Sequence, residues 1–154
     1  MAPTIPQDAD EPQTTVDALV QLSFLVHGAL ARIAATHDLS LIQIRLLGIL
    51  RDRTPGMLDL ARHLGLDKSS MTGLAGRAEK RGLVERRPSP HDGRGVLIGL
   101  TPAGRSLAER CTAEMDQAVA ALTASLTTAE RDTLRAVAVK LLHAAAPGGE
   151  TSGT

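Results

Sequence analysis

The chain has one Phe and neither Trp nor Tyr among its 154 residues. Without aromatic platforms on which bases could stack, binding of single-stranded nucleic acid is disfavoured. The residues are nonetheless 43% hydrophobic, so the core must be built from Leu, Ala, Val and Ile, which suit packed helices. Cys111 is the single cysteine. It excludes an internal disulfide and cannot make a thiolate zinc site alone. No uninterrupted apolar run approaches the roughly twenty residues of a membrane span. The N-terminus is acidic and lacks the basic-then-apolar order of a secretory signal. These absences point to a cytoplasmic protein with no membrane partner, no metal and no cofactor, and the length suits one domain.

Charge of one sign is also missing locally. Residues 1–31 hold Asp8, Asp10, Glu11 and Asp17 but no Lys or Arg. Residues 62–94 are the reverse. Arg62, Lys68, Arg77, Lys80, Arg81, Arg86, Arg87 and Arg94 stand there against Asp67, Glu79, Glu85 and Asp92, a local excess of +4 in a chain of net charge zero. One basic surface on an otherwise neutral protein fits a partner rich in phosphate. The alternative is a solvated helix face, but here the charge coincides with a motif.

The expected organisation is a disordered Pro- and Asp-rich segment over 1–13, one domain over 14–146 and a mobile Gly/Ser/Thr tail over 147–154. A long helix starts near Thr14 or Thr15, with Val16, Leu19, Val20, Ser23, Val26, His27, Leu30, Ile33 and Ala34 at helical spacing. Ser40 caps a second helix containing Ile44, Leu47 and Leu50. Pro55-Gly56 breaks the chain, and a short helix covers about Met57 to Leu64.

Gly65 then makes a turn, and Asp67 caps a helix running to about Arg81. The inward stripe of that helix is Met71, Leu74, Ala75 and Ala78. Its other side shows Lys68, Ser69, Thr72, Gly73, Gly76 and Arg77. Two short helices hinged at a glycine, the second small, polar and basic outside, suit entry into a DNA major groove. Strands over Val84–Arg87 and Val96–Leu100 flank a loop containing Asp92, Gly93 and Arg94. Thr101-Pro102 opens a fifth helix carrying Leu107, Cys111, Met115, Val119 and Leu122 on one side. Thr127 and Glu130 form a capping box for a last helix with Leu134, Val137, Ala138 and Leu141. The expected fold is mainly α: a winged helix-turn-helix of about six helices with a two- to three-stranded β wing.

Three segments resemble the MarR (multiple antibiotic resistance regulator) family of bacterial transcription factors. Leu60-Ala61 through Ser69-Ser70-Met71-Thr72 looks like that family's turn and recognition helix. Glu79-Lys80-Arg81-Gly82-Leu83-Val84-Glu85-Arg86 looks like its lead into the wing. Asp92-Gly93-Arg94 with Val96, Leu100-Thr101 and Gly104 looks like its wing signature. The resemblance spans about Val16 to Leu142. It implies dimerisation helices over 14–36 and 102–146, a DNA-binding lobe over 39–101, and a homodimer reading a pseudo-palindromic operator in double-stranded DNA. It also implies a small-molecule effector, apolar or aromatic, bound between the dimerisation helices and the lobe. Gly93 stands where the family often has Arg, and Ser89 where it often has an acidic residue. Gly73 and Gly76 are unusual in a recognition helix, each costing up to about 1 kcal/mol against alanine.

Lys68, Ser69, Ser70, Thr72, Gly73, Arg77 and Arg94 are the candidate DNA-binding residues. Short hydroxyls let a helix approach base edges and phosphates, and Lys68 and Arg77 reach phosphate or guanine. Ser70 serves either contact or local capping, and Arg77 either contact or an ion pair. Arg94, between glycines, can enter the minor groove, where the potential is most negative over A·T-rich sequence. DNA would repel Asp92, so its role is to orient Arg94 or cap the turn.

His27 and Arg45 are the polar residues best placed for the implied effector pocket. A lone histidine on an apolar face is also compatible with a core position. No His-x-x-x-His pair occurs among the five histidines. Peroxide-sensing family members carry a reactive cysteine in the first helix, where this chain has Ser23 and His27, so Cys111 reads as a buried, inert thiol. The function expected is a repressor released by a small ligand, bacterial, cytoplasmic and nucleoid-associated when bound. The competing class is a winged-helix adaptor for proteins, which would not require the basic helix or Arg94. An enzyme is discounted, since no nucleophile–base order or phosphate-cradling loop is present.

Overall fold

A computed structural model describes residues 12–91, 93 and 95–146. The expectations for 1–11, for the tail 147–154, and for Asp92 and Arg94 lie outside the described residues. The chain divides into two compact units, residues 1–116 and 117–154.

The first unit contains α1 (Thr15–Thr36), α2 (Leu41–Asp52), α3 (Met57–Leu64), α4 (Lys68–Lys80), β1 (Val84–Pro88), β2 (Val96–Leu100) and the start of α5 (Pro102–Leu122). Local chemistry sets the starts. The Ser40 hydroxyl accepts from Gln43 N–H while the Gln43 side chain accepts from Ser40 N–H, a reciprocal box. Asp67 accepts from Ser70 N–H at 2.7 Å. Glycine sets two of the ends. Gly65 and Gly82 have φ of +66° and +69° after α3 and α4, a conformation that strains residues with a Cβ.

The core lies where α2, α3 and α4 meet β2. Leu46, Leu47, Leu50, Leu60, Met71, Leu74 and Ile98 are all at most 2% exposed. Truncating one of these to alanine costs about 2–5 kcal/mol, the transfer term plus the cavity left behind. Leu107, Ala108 and Cys111 on the first part of α5 join this core.

β1 and β2 form an antiparallel hairpin with Val84 opposite Leu100 and Pro88 opposite Val96. The third strand of the wing reduces to one bridge, Gly56 to Leu97, beside a bond from Ile98 N–H to Pro55 C=O at 2.9 Å. Pro55 has no N–H to donate and α3 begins at Met57, so the ladder cannot lengthen.

The second unit holds the end of α5 and α6 (Thr128–Ala145). Thr127 and Glu130 form the expected capping box. Arg131 donates to the Thr123 carbonyl at 3.2 Å and fixes the turn before it.

Apolar exposure is concentrated on two helices. On α1 only Ala29, Ile33 and Ala34 are buried, whereas Val16 is 69% and Phe24 70% exposed. No residue of α6 is buried. The expectation of no membrane-length apolar segment needs correction on one point. α1 has 22 residues with a mean hydropathy of 1.5 in its most apolar window, enough by length and composition to cross a membrane. Counting uninterrupted runs missed it, because Gln21, Ser23 and His27 break the run without adding charge.

Candidate nucleic-acid interface

α4 separates into two faces. Met71, Leu74, Ala75 and Ala78 are buried at 1–3% exposure and anchor the helix to α2, α3 and the hairpin. Lys68, Ser69, Ser70, Thr72 and Arg77 are exposed, with Gly73 and Gly76 partly so. The structure therefore brings six of the seven candidate DNA-binding residues onto one helix. The seventh, Arg94, and its companion Asp92 lie outside the described residues.

Each side chain has a defined local state. Ser70 N–H is taken by Asp67, whose carboxyl this bond holds below its usual range. The Ser70 hydroxyl adds a side-chain hydrogen bond to the same carboxyl, which favours the capping role for this residue. Thr72 Oγ1 donates to Lys68 C=O at 2.8 Å, so its lone pairs and methyl group remain to face outward. A methyl group there suits contact with thymine C5-methyl. Gly73 makes room for Arg77: a Cβ at position 73 would lie 3.1 Å from Arg77 Nη1. The guanidinium thus folds back over the small residue one turn earlier, which gives Gly73 a structural use.

The structure shows which cations in the basic module are paired with its acids. Arg86 pairs with Glu79 at 3.0 Å, and Arg87 with Glu85 at 2.6 Å. Arg87 also donates to Leu100 C=O at 3.1 Å and covers Gly99, where a Cβ would lie 2.8 Å from its guanidinium carbon. Arg87 is thereby a strut across the hairpin. Arg81 turns away from the face and donates to Asp38 C=O at 2.6 Å. Among the described residues, Lys68, Arg77 and Lys80 have no ion-pair partner. Unpaired cations are those that gain most from phosphate.

A groove of about 640 Å³ lies between α3, the start of α4 and the hairpin. Leu58, Met71 and Val96 line it, and Arg62, Lys68 and Arg86 rim it. Leu58 is 67% exposed, high for a leucine beside a packed helix pair.

The two pocket candidates are not brought together. His27 is exposed on α1 and lines none of the described cavities, so the core position does not apply to it. Arg45 lines a cleft of about 400 Å³ between α2 and α3. A separate crevice of about 240 Å³ opens between α1, α2 and α5, with Leu30, Leu47, Cys111 and Met115 beside Arg51 and Asp116. Cys111 is buried there, and desolvation, helped by Glu114, pushes its thiol up. That disfavours the reactive thiolate, as expected of an inert cysteine. Among the described residues no group of three His, Cys, Asp or Glu side chains could hold a metal ion.

The family model described as "MarR family" matches residues 37–95, the segment from the end of α1 through the hairpin loop. The chain is 36% identical over 111 residues to multiple antibiotic resistance protein MarR of Salmonella typhimurium, covering 71% of this chain and 74% of that one. The chain belongs to the MarR family. This member of the family is a transcriptional regulator with a winged-helix fold, not an enzyme. It is 30% identical over 112 residues to the HTH-type transcriptional repressor NicR of Pseudomonas putida, covering 68% of this chain and 71% of NicR. The crystal structure of NadR in complex with 4-hydroxyphenylacetate superposes with a TM-score of 0.70 at 25% identity, covering 89% of this chain and 97% of NadR.

Four side chains of these sites escaped the sequence. Arg51 in the α5 crevice and Arg53 and His63 in the α2–α3 cleft come together only through helix packing. Arg81 was counted among surface cations, and its carbonyl partner is 43 residues away.

Proposed function

We propose that this MarR-family chain is a homodimeric, sequence-specific repressor that reads double-stranded DNA with α4. The observation that carries this is the division of α4: a buried apolar stripe fixes it, while Lys68, Ser69, Thr72, Gly73 and Arg77 share the outer face. Small residues permit close approach to base edges, and two long cations reach phosphate or guanine. Arg94, in the segment joining the two wing strands, is assigned to the minor groove.

Dimerisation is supported by apolar surface. Val16, Leu19, Val20, Phe24 and Leu25 of α1 are exposed, as are Leu134, Val137 and Leu141 of α6. A monomer leaving that much apolar area in water would be an aggregation hazard. A second copy covering both helices would bury over ~2,000 Å². Two α4 helices about one turn of DNA apart would then read a pseudo-palindrome.

Release by a small ligand is supported by NadR, which was crystallised with 4-hydroxyphenylacetate. The ligand must favour a dimer spacing that cannot bind DNA, since equal affinity for both spacings shifts nothing. Of the two candidate pocket residues, Arg45 lines a described cleft, and His27 is assigned on sequence grounds alone. The protein acts in the bacterial cytoplasm, on the nucleoid when bound.

The test is to crosslink the protein to DNA in living cells and sequence what is recovered. Enrichment of a few sites sharing an inverted repeat is the expected result. Uniform recovery across the genome, or a folded monomer at micromolar concentration in sedimentation, would overturn it.

A further inference from the structure

The cleft between α2 and α3 is lined by Arg45, Gly48, Ile49, Asp52, Arg53 and His63. Its single carboxylate is already taken. Asp52 receives two hydrogen bonds from Arg51, at 3.1 and 2.8 Å. Arg45 and Arg53 have no carboxylate partner among the described residues. Both are instead held by His63. Arg45 Nη2 donates to the His63 carbonyl at 3.5 Å, and Arg53 Nη1 lies 3.2 Å from His63 Nε2. His63 Nδ1 lies 2.7 Å from the Asp59 carbonyl, which can only accept, so Nδ1 carries the proton. Nε2 is then the acceptor for Arg53. One histidine thus sets two guanidiniums at the mouth of a single concavity, with an apolar wall at Ile49.

We propose that this cleft binds a small oxyanion, a carboxylate or phosphate monoester with an apolar body. Paired guanidiniums match the flat, two-oxygen face of such a group and bind it through charge-assisted hydrogen bonds. Ile49 and the bare backbone at Gly48 accept the rest of the molecule. A cleft of about 400 Å³ is of ligand size. The proposal deepens the ligand-responsive part of the function above by giving the ligand a charge and a place.

The test uses the full chain free of DNA and inorganic phosphate, then benzoate, as probes at constant ionic strength. Side-chain NMR of His63 and the arginines reads binding. Saturable shifts are expected in the wild type. Arg45→Gln and Arg53→Gln should each weaken binding about tenfold or more, the loss of one charged hydrogen-bonding partner. Arg53→Lys should weaken it less. These exposed substitutions should leave the melting temperature unchanged, and three variants guard against one misfolding. Absence of saturable shifts would overturn the proposal. So would variants that leave phosphate binding intact but lower the salt dependence of DNA binding by about one unit each, which would assign both arginines to the DNA backbone. The titration needs no DNA, so its failure leaves the DNA-binding function standing.

Discussion

Gly104 and Leu83 are in backbone contact. A Cβ built on Gly104 would lie 1.9 Å from the carbonyl oxygen of Leu83. The same junction is tied by Thr101, whose N–H donates to Leu83 C=O at 3.1 Å and whose hydroxyl donates to Gly82 C=O. The first turn of α5 is thereby fastened to the point where α4 gives way to the wing. Gly104→Ala should destabilise the protein by about 1–3 kcal/mol, since neither backbone can yield cheaply. Alanine's better helix propensity, worth up to about 1 kcal/mol, acts in the opposite direction and is outweighed. Urea unfolding of the two proteins measures the difference, and an unchanged midpoint would show that the junction relaxes.

Asp67 gives a pH signature. Its bond to Ser70 N–H lowers its carboxyl below the ordinary range, so the folded protein prefers the ionised form. The stability it contributes is complete above the unfolded carboxyl's range. It is lost as pH falls through the lowered folded value. Asp67→Asn keeps a capping side chain without the charge. Its melting temperature should therefore fall less steeply between neutral and acid pH than that of the wild type. Parallel curves would remove Asp67 from the acid response.

Much of this architecture was readable because local chemistry and packing agree. Asp67, Ser40 and Thr127 mark helix starts through their side-chain oxygens, and Gly65 and Gly82 mark ends through positive φ. The stripe at Met71, Leu74, Ala75 and Ala78 fixes which face of α4 is left outward. What stayed hidden depends on distance in sequence. His37 meets Glu114 at 2.6 Å across 77 residues, and Arg81 meets Asp38 across 43. Neither pairing has a local signal. The count also could not say which cations carry the net surplus, since only the structure pairs Arg86 with Glu79 and Arg87 with Glu85.

Arg94 carries the wing prediction on sequence grounds, as the basic residue between Gly93 and Gly95 in the segment joining β1 to β2. Arg94→Ala should weaken operator binding and reduce its salt slope by about one unit. Thermal stability should not change. Arg87 is the informative control: tied to Glu85 and Leu100, it should affect stability more than DNA affinity when replaced. Equal salt slopes for wild type and Arg94→Ala would show that the wing tip does not meet DNA.

The central claim is that the outer face of α4 reads sequence. Arg77 is exposed, without an ion pair among the described residues, and seated over Gly73. The most direct measurement is the affinity of wild type, Arg77→Ala and Thr72→Ala for operator and for scrambled duplex at one fixed salt concentration. If Arg77 pairs with a guanine, Arg77→Ala should lose roughly 1–3 kcal/mol on the operator and much less on scrambled DNA. Thr72→Ala should show a smaller loss confined to the operator. Equal losses on both duplexes for Arg77→Ala would reduce that residue to a phosphate anchor. Losses near zero for both variants on both duplexes would contradict the account, because α4 would then not be the element that meets DNA.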